Sequence, residues 1–312
     1  MALAGGLGLW FALKPGQGVD VCKELGEDTR VRSALGSGGA GGSDCSRLGE
    51  AVRKATVGSE PGAHSLRQAQ AMKDVLVTLA DVMGREEGTV DAEFALPMAQ
   101  ALADYMPDVY GVVAPGHMDY VRAFGDEKPP WTDDDGGAHV SVSSVSLLQV
   151  MRSLASTPTA YAELRDAATG YAATTFAEVP QGAEEWNFES PVQDAAYVLG
   201  AMDGVADDVR QDLGAGGWDA WSVDVFGRMT KGVVAPPVFE KDPAGYIGAS
   251  WRKSLRAGGQ KGMVSSFEAQ SGDMVRIWSK AAGLDGGVQK SLLEVARDTS
   301  ELGREGRARG GS

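Results

Sequence analysis

Apolar and polar positions alternate with a helical period over most of this chain. From Ser65 to Met83 the apolar side chains fall at Leu66, Ala69, Met72, Leu76, Leu79, Ala80 and Met83, three or four apart. That spacing places them on one face of a helix. From Asp91 to Val113 the pattern returns with Phe94, Met98, Ala101, Leu102, Tyr105, Met106, Val109 and Val112. Joined by Gly84-Arg-Glu-Glu-Gly88, the two segments read as an antiparallel helical hairpin whose apolar seam needs partners from elsewhere. Pro107 falls late in the second segment and should kink it or end its regular hydrogen bonding.

Helix starts are marked along the rest of the chain. Asp44 to Thr56 reads as a short helix with Asp44 or Ser46 as N-cap. Ser143 or Ser144 opens a helix to about Ala155, and Thr157-Pro158 opens the next. The latter carries Tyr161, Leu164, Ala168, Tyr171, Ala172 and Thr175 on one face and ends at Val179-Pro180. Ser190-Pro191 begins another, which stops by Gly214. Trp218 to Lys231, Asp242 to Arg256, Met263 to Ala282 and Val288 to Gly303 complete the set. From Ala114 to Gly137 the period fails in favour of turn chemistry, with Pro115-Gly116, Pro129-Pro130 and Asp133-Asp-Asp-Gly136. His139 to Val142 alternates like a short strand without an obvious partner.

Strands and helices do not alternate as a parallel sheet requires. The expected fold is all-α, an irregular multi-helix bundle of about eight helices with a flexible glycine-rich N-terminal arm. The arm is residues 1–60 with one short helix, the bundle core is 61–237, and 238–312 are C-terminal helices packed on the same core. Much of the glycine, 43 residues in all, sits between the helical patterns and reads as loop and cap rather than as a fibrous repeat.

Composition narrows the function classes. At 312 residues and 43% apolar content the chain has ample material for a buried core. A formal charge of −14 argues against nucleic acid and against anionic membrane surfaces. No stretch approaches the roughly 20 apolar residues that span a bilayer. The apolar opening Met1 to Leu13 lacks a positive start and an Ala-x-Ala exit, so it reads as a short element docked on the core rather than a signal peptide. Cys22 and Cys45 flank the glycine-rich stretch, and a disulfide closing that loop is geometrically feasible. Two cysteines form no framework, however, and the reading here is a pair of reduced bystanders.

Between Leu147 and Pro237 the order of features is distinctive. Leu147-Leu-Gln-Val-Met-Arg152 is followed by Ser156-Thr-Pro-Thr-Ala-Tyr161, the tyrosine-bearing helix through Tyr171, and Val192 to Asp208 with its Gly-Ala-Met-Asp-Gly-Val centre. Upstream lies Leu96-Pro-Met-Ala-Gln-Ala-Leu-Ala-Asp-Tyr-Met-Pro-Asp-Val109. Together, over Ser65 to Pro237, these segments resemble an uncharacterised helical domain of actinobacterial proteins associated with type VII secretion, WXG-type modules or polymorphic toxins. The resemblance implies a helical scaffold or interaction region and brings no catalytic residues with it. Two of the associated features are absent: no tryptophan is followed by x-Gly, and no tyrosine has Asp or Glu four residues on.

Motifs that carry chemistry are sparse. Gly36-Ser-Gly-Gly-Ala-Gly41 matches the dinucleotide fingerprint, but no apolar strand precedes it, so it reads as a linker. The run Asp133-Asp134-Asp135-Gly136 lacks the spacing and terminal glutamate of an EF-hand and reads as an acidic turn. His64, His117 and His139 are far apart, with no His-Glu-x-x-His and no Cys-x-x-Cys. Gly-x-Ser-x-Gly and the phosphate-binding loop are also missing. No catalytic, cofactor-binding or metal-binding residue is assigned, and no cofactor. Tyr105, Tyr110, Tyr161, Tyr171, Trp218, Trp221, Trp251 and Trp278 are expected in the core.

The expectation is a non-enzymatic helical scaffold or interaction module with a protein partner, acting in the cytoplasm or exported with that partner. The alternative is a hydrolase-like enzyme with dispersed carboxylates, for which Asp133, Asp135, Glu184 and Glu185 are the nominees, or the non-catalytic part of a longer toxin protein.

Overall fold

Side-chain oxygens set where the helices begin. Asp20, Asp28, Asp44, Asp91, Ser143 and Asp242 each accept a backbone N–H from the first turn that follows, satisfying donors that have no partner within the helix. The computed structural model describes residues 20–36, 44–85, 90–125, 127–179 and 186–309. The N-terminal Met1 to Leu13, most of the Gly36–Gly41 motif, and Glu184 and Glu185 lie outside these residues.

The described chain is all-α apart from one two-stranded ribbon. In order it runs α1 (Val21–Glu27), α2 (Thr29–Leu35), α3 (Cys45–Thr56), α4 (Leu66–Arg85), α5 (Ala92–Asp104), α6 (Met106–Val113), α7 (Met118–Ala123), β1 (Trp131–Thr132), β2 (Ala138–His139), α8 (Ser144–Ala155), α9 (Pro158–Ala177), α10 (Trp186–Met229), α11 (Pro243–Gly258), α12 (Met263–Glu268), α13 (Gln270–Ala281) and α14 (Gly286–Arg309). The 14 helices exceed the expected number. Helices α1, α2 and α7 have six or seven residues, too few to display a period. The predicted long segments also divide, at Tyr105 ahead of Pro107 and at Ala269. The Ser190-Pro191 start is corrected as well, because α10 already begins at Trp186 and carries Pro191 inside it, whereas the expected stop by Gly214 is met by a kink there, with non-helical backbone at φ 61° and ψ −177°.

Four further expectations are overturned. The helices of the predicted hairpin are not each other's main partners: α4 lies against α1, α2, α3 and α8, whereas α5 lies against α3, α8 and α9. Residues 20–35 form two helices rather than a loose arm, and Val21, Leu25 and Val31 are buried. Cys22 and Cys45 are joined in a disulfide that ties α1 to the first residue of α3. The strand at His139 has a partner: Trp131 pairs with His139 and Thr132 with Ala138, antiparallel.

Helix α9 sits centrally, with α5, α8, α10 and α11 around it. Its buried residues include Tyr161, Leu164, Ala168, Ala172 and Phe176 but also Ala160, Ala162, Thr169 and Ala173. Burial on more than one face is the mark of an interior helix. Arg165 of α9 is fully buried, donating to Asp203 Oδ1 (2.6 Å), Gln270 Oε1 (2.7 Å) and the Phe267 carbonyl (3.2 Å). Its guanidinium also lies 4.5 Å from the centre of the Phe267 ring.

Not all glycines sit in loops or caps. A Cβ at Gly200 of α10 would come within 2.0 Å of the Ser300 carbonyl oxygen, and one at Gly303 of α14 within 2.1 Å of the Tyr197 carbonyl oxygen. These two glycines therefore let the backbones of α10 and α14 touch. One apolar cluster extends from Val21 to Ala296 and takes in Tyr105, Tyr110, Tyr161, Trp221, Trp251 and Trp278, with Tyr171 and Trp218 partly buried against it. No helix among the described residues is long and apolar enough to cross a membrane.

Candidate functional site

The segment between α6 and α8, where helical periodicity is lost, is held by an unusual number of buried polar groups. Helix α6 presents Asp108 and, one turn on, Gly111. Because Gly111 has no side chain, the Tyr120 ring of α7 lies directly on the α6 backbone. The Tyr120 hydroxyl then donates to Asp108 Oδ1 at 2.7 Å. Asp108 Oδ1 also meets His139 Nδ1 at 2.8 Å, and Oδ2 accepts the Val140 backbone N–H at 3.3 Å.

On its other side His139 reaches the acidic turn. His139 Nε2 lies 3.1 Å from Asp133 Oδ2, and Asp133 Oδ1 accepts the Gly137 N–H at 2.7 Å. The turn closes through the positive φ of Gly136 and the Gly136 N–H to Asp133 carbonyl bond. Cross-strand pairing sets Trp131 beside His139, with ring centres 5.5 Å apart, and the Tyr120 ring meets Trp131 edge-on at 5.0 Å.

Lysine 73 of α4 braces the same segment from beneath. It is 1% exposed, and its ammonium donates to the carbonyls of Ala123 (3.2 Å), Gly125 (2.7 Å) and Lys128 (2.7 Å). A buried ammonium demands such partners, so Lys73 fixes the path of the chain just after α7. His117, at the start of α7, contacts Asp194 of α10 at 3.2 Å. Ser141 adds a hydrogen bond to the Tyr120 carbonyl.

Charge states follow from these contacts. The Asp108 hydrogen bond, reinforced by Asp133, raises the His139 pKa to about 9 against the cost of burial. His139 is therefore an imidazolium at neutral pH, clamped between two carboxylates and committed as a donor. The bond from His139 holds Asp133 below the usual carboxylate range. Burial, and then Asp108, push the Tyr120 phenol upward, so it stays protonated. The Asp194 bond raises the His117 pKa.

Such an arrangement orients side chains, with the carboxylates of Asp108 and Asp133 both hydrogen-bonded to His139. Of the hydrolase nominees, Asp133 is an anchored carboxylate, and Asp135 is exposed in the turn without lining the adjacent groove. The histidines are not gathered as ligands. His117 and His139 flank the Tyr120 ring at 6.3 and 6.0 Å, while His64 is elsewhere, stacked on Tyr105 at 3.6 Å and bonded to Asp104. Among the described residues one set of possible metal donors converges, Asp20, Cys22 and Cys45, but both of its sulfurs are consumed by the disulfide.

The outward side of the segment is apolar. Met118 and Val121 of α7 and Phe124, the residue after its end, follow one another at three-residue intervals and are 55%, 50% and 49% exposed. On its other flank lies a groove of about 480 Å³ that includes Asp119, Arg122, Lys128, Trp131, Asp133 and Asp134. Sequence reasoning missed Lys73, Asp108 and Tyr120; a carboxylate on the apolar face of α6 is the one hint that pointed to them. No protein-family model, curated protein or solved structure matches this chain.

Proposed function

We propose that the chain is a helical protein-interaction scaffold whose contact surface is centred on α7. The observation that carries this reading is the outward row of Met118 and Val121 on a six-residue helix fixed from below, continued by Phe124 just past its end. Large apolar side chains in a continuous exposed row favour burial against a partner. A helix this short is not stable alone, and here buried Lys73 and Asp108 supply the anchoring. A pre-ordered surface loses less entropy on association than a floppy one.

An association with type VII secretion or a toxin system rests on the sequence resemblance, and within it the partner is a protein component of the same system. The test is a photo-crosslinking residue at Val121 in the full chain, expressed in an actinobacterial host. A discrete crosslinked partner should appear, and Met118→Ser with Phe124→Ser should abolish it while leaving the circular dichroism melt unchanged. A crosslinking pattern unaffected by the serine pair would defeat this reading.

A further inference from the structure

The groove beside α7 has a composition of its own, separate from the apolar row. Its lining includes the indole of Trp131, braced by Tyr120 and His139. Around it stand the carboxylates of Asp119, Asp133 and Asp134 and the cations of Arg122 and Lys128. Asp119 pairs with Arg122 and Asp133 with His139, which Asp108 holds from the other side, so the rim presents interspersed charges of both signs rather than a field of one sign that would draw in an ion.

The polar rim is dense in both donors and acceptors, and the one large apolar side chain in the lining is the planar indole of Trp131. That combination matches a ligand that is uncharged, rich in hydroxyls and apolar on one face. A pyranose ring has this chemistry: its C–H face stacks on an indole while its hydroxyls bond to carboxylate, guanidinium and ammonium groups around the edge. The groove volume of about 480 Å³ falls in the roughly 300–1,000 Å³ range of small-molecule sites.

The buried network gives this groove its order. Asp108 fixes His139, His139 fixes Asp133, and Tyr120, bonded to Asp108, packs on Trp131. A chain of largely buried polar groups thus ends on two residues of one groove, the support that a preorganised binding site needs. We propose that the Trp131 groove binds a neutral saccharide, with the indole as stacking platform and Asp119, Arg122, Lys128, Asp133 and Asp134 as the hydroxyl-reading rim. The proposal does not depend on α7 being a protein-docking face.

The full chain is screened against an array of neutral oligosaccharides, followed by saturation-transfer NMR and calorimetry with cellotetraose, chitotetraose and maltotetraose. At least one neutral glycan should bind, and Trp131→Ala should weaken it by at least about tenfold. Because Trp131→Ala also removes packing, Asp134→Asn at the exposed rim serves as the second variant. It should weaken binding several-fold without altering the thermal melt. Absence of binding across the array would overturn the proposal, as would binding that survives both variants or a groove that takes charged peptides in place of glycans. Loss of the Val121 crosslink described above would leave the glycan result unaffected, so the two readings fail separately.

Discussion

The Tyr120 ring rests on the backbone of Gly111, so closely that a Cβ there would fall 2.3 Å from Tyr120 Cε2. This contact puts the Tyr120 hydroxyl within 2.7 Å of Asp108 and places Trp131 against the tyrosine edge. Gly111→Ala should therefore displace Tyr120 and uncouple α7 from α6, at about 1–3 kcal/mol for an overpacked contact. Chemical denaturation measures the loss, and the Trp131 indole resonance should shift with it. An alanine variant of unchanged stability and spectrum would show that α7 is not seated on Gly111.

His139 makes stability depend on pH. Its folded-state pKa of about 9 lies above the ordinary value near 6.5. The imidazolium bridge is thus fully stabilising below pH 6.5, and its contribution is lost as the pH rises through 9. The largest contribution such a difference permits is about 3 kcal/mol. Urea midpoints from about pH 6 to about pH 10 should fall across this window. His139→Asn should be less stable at pH 6 and lack most of the slope. A wild-type midpoint that is flat through pH 9 would rule out the bridge.

The helix-rich character, the N-caps at Asp44 and Ser143 and the helix start at Asp242 were legible because they depend on neighbours within one turn. The relationships that shape the site were not. Lys73 sits in a run of helix formers, and nothing local indicates that its ammonium meets carbonyls 50 to 55 residues away. Asp108 looks like an ordinary helix residue until Tyr120 and His139 arrive from two separate elements. Helix α7 spans fewer than two turns, so its exposed apolar row had no period to reveal it. Gly200 and Gly303 show the same limit, since a glycine read without knowledge of the opposing backbone is indistinguishable from a cap. The cysteine pair was misread because the rarity of cysteine outweighed a loop geometry that the fold in fact closes.

The Cys22–Cys45 disulfide should matter most for α1 and α2. Each has seven residues, and between them they bury Val21, Cys22, Leu25 and Val31, a small apolar area for two marginal helices. Cross-linking over a separation of 23 residues contributes about 3 kcal/mol in the chain-entropy treatment. Cys45→Ser should lower the melting temperature and abolish amide protection in α1 and α2 first, with α9 and α10 retaining theirs. Hydrogen exchange with and without reductant measures this. Equal protection of α1 in the variant would show that apolar packing alone docks these helices.

Arg165 and Asp203 form the most deeply buried ion pair, at 0% and 6% side-chain exposure, and it links α9 to α10. Removing either charge alone leaves the other uncompensated in the core. Arg165→Met also strips donors from the Gln270 side chain and the Phe267 carbonyl. Each single change should therefore cost on the order of 3–5 kcal/mol. Replacing both residues with apolar ones, as in Arg165→Met with Asp203→Leu, removes the stranded charge and should recover much of that loss. The remaining deficit belongs to Gln270 and the carbonyls of Phe267 and Leu199, which lose a donor whenever Arg165 is replaced. A double-mutant cycle by denaturant unfolding measures the coupling. If the two losses simply add, the pair is not coupled, and the energetic link between α9 and α10 lies in their other contacts, among them the hydrogen bond from the Tyr161 hydroxyl to the Met202 carbonyl.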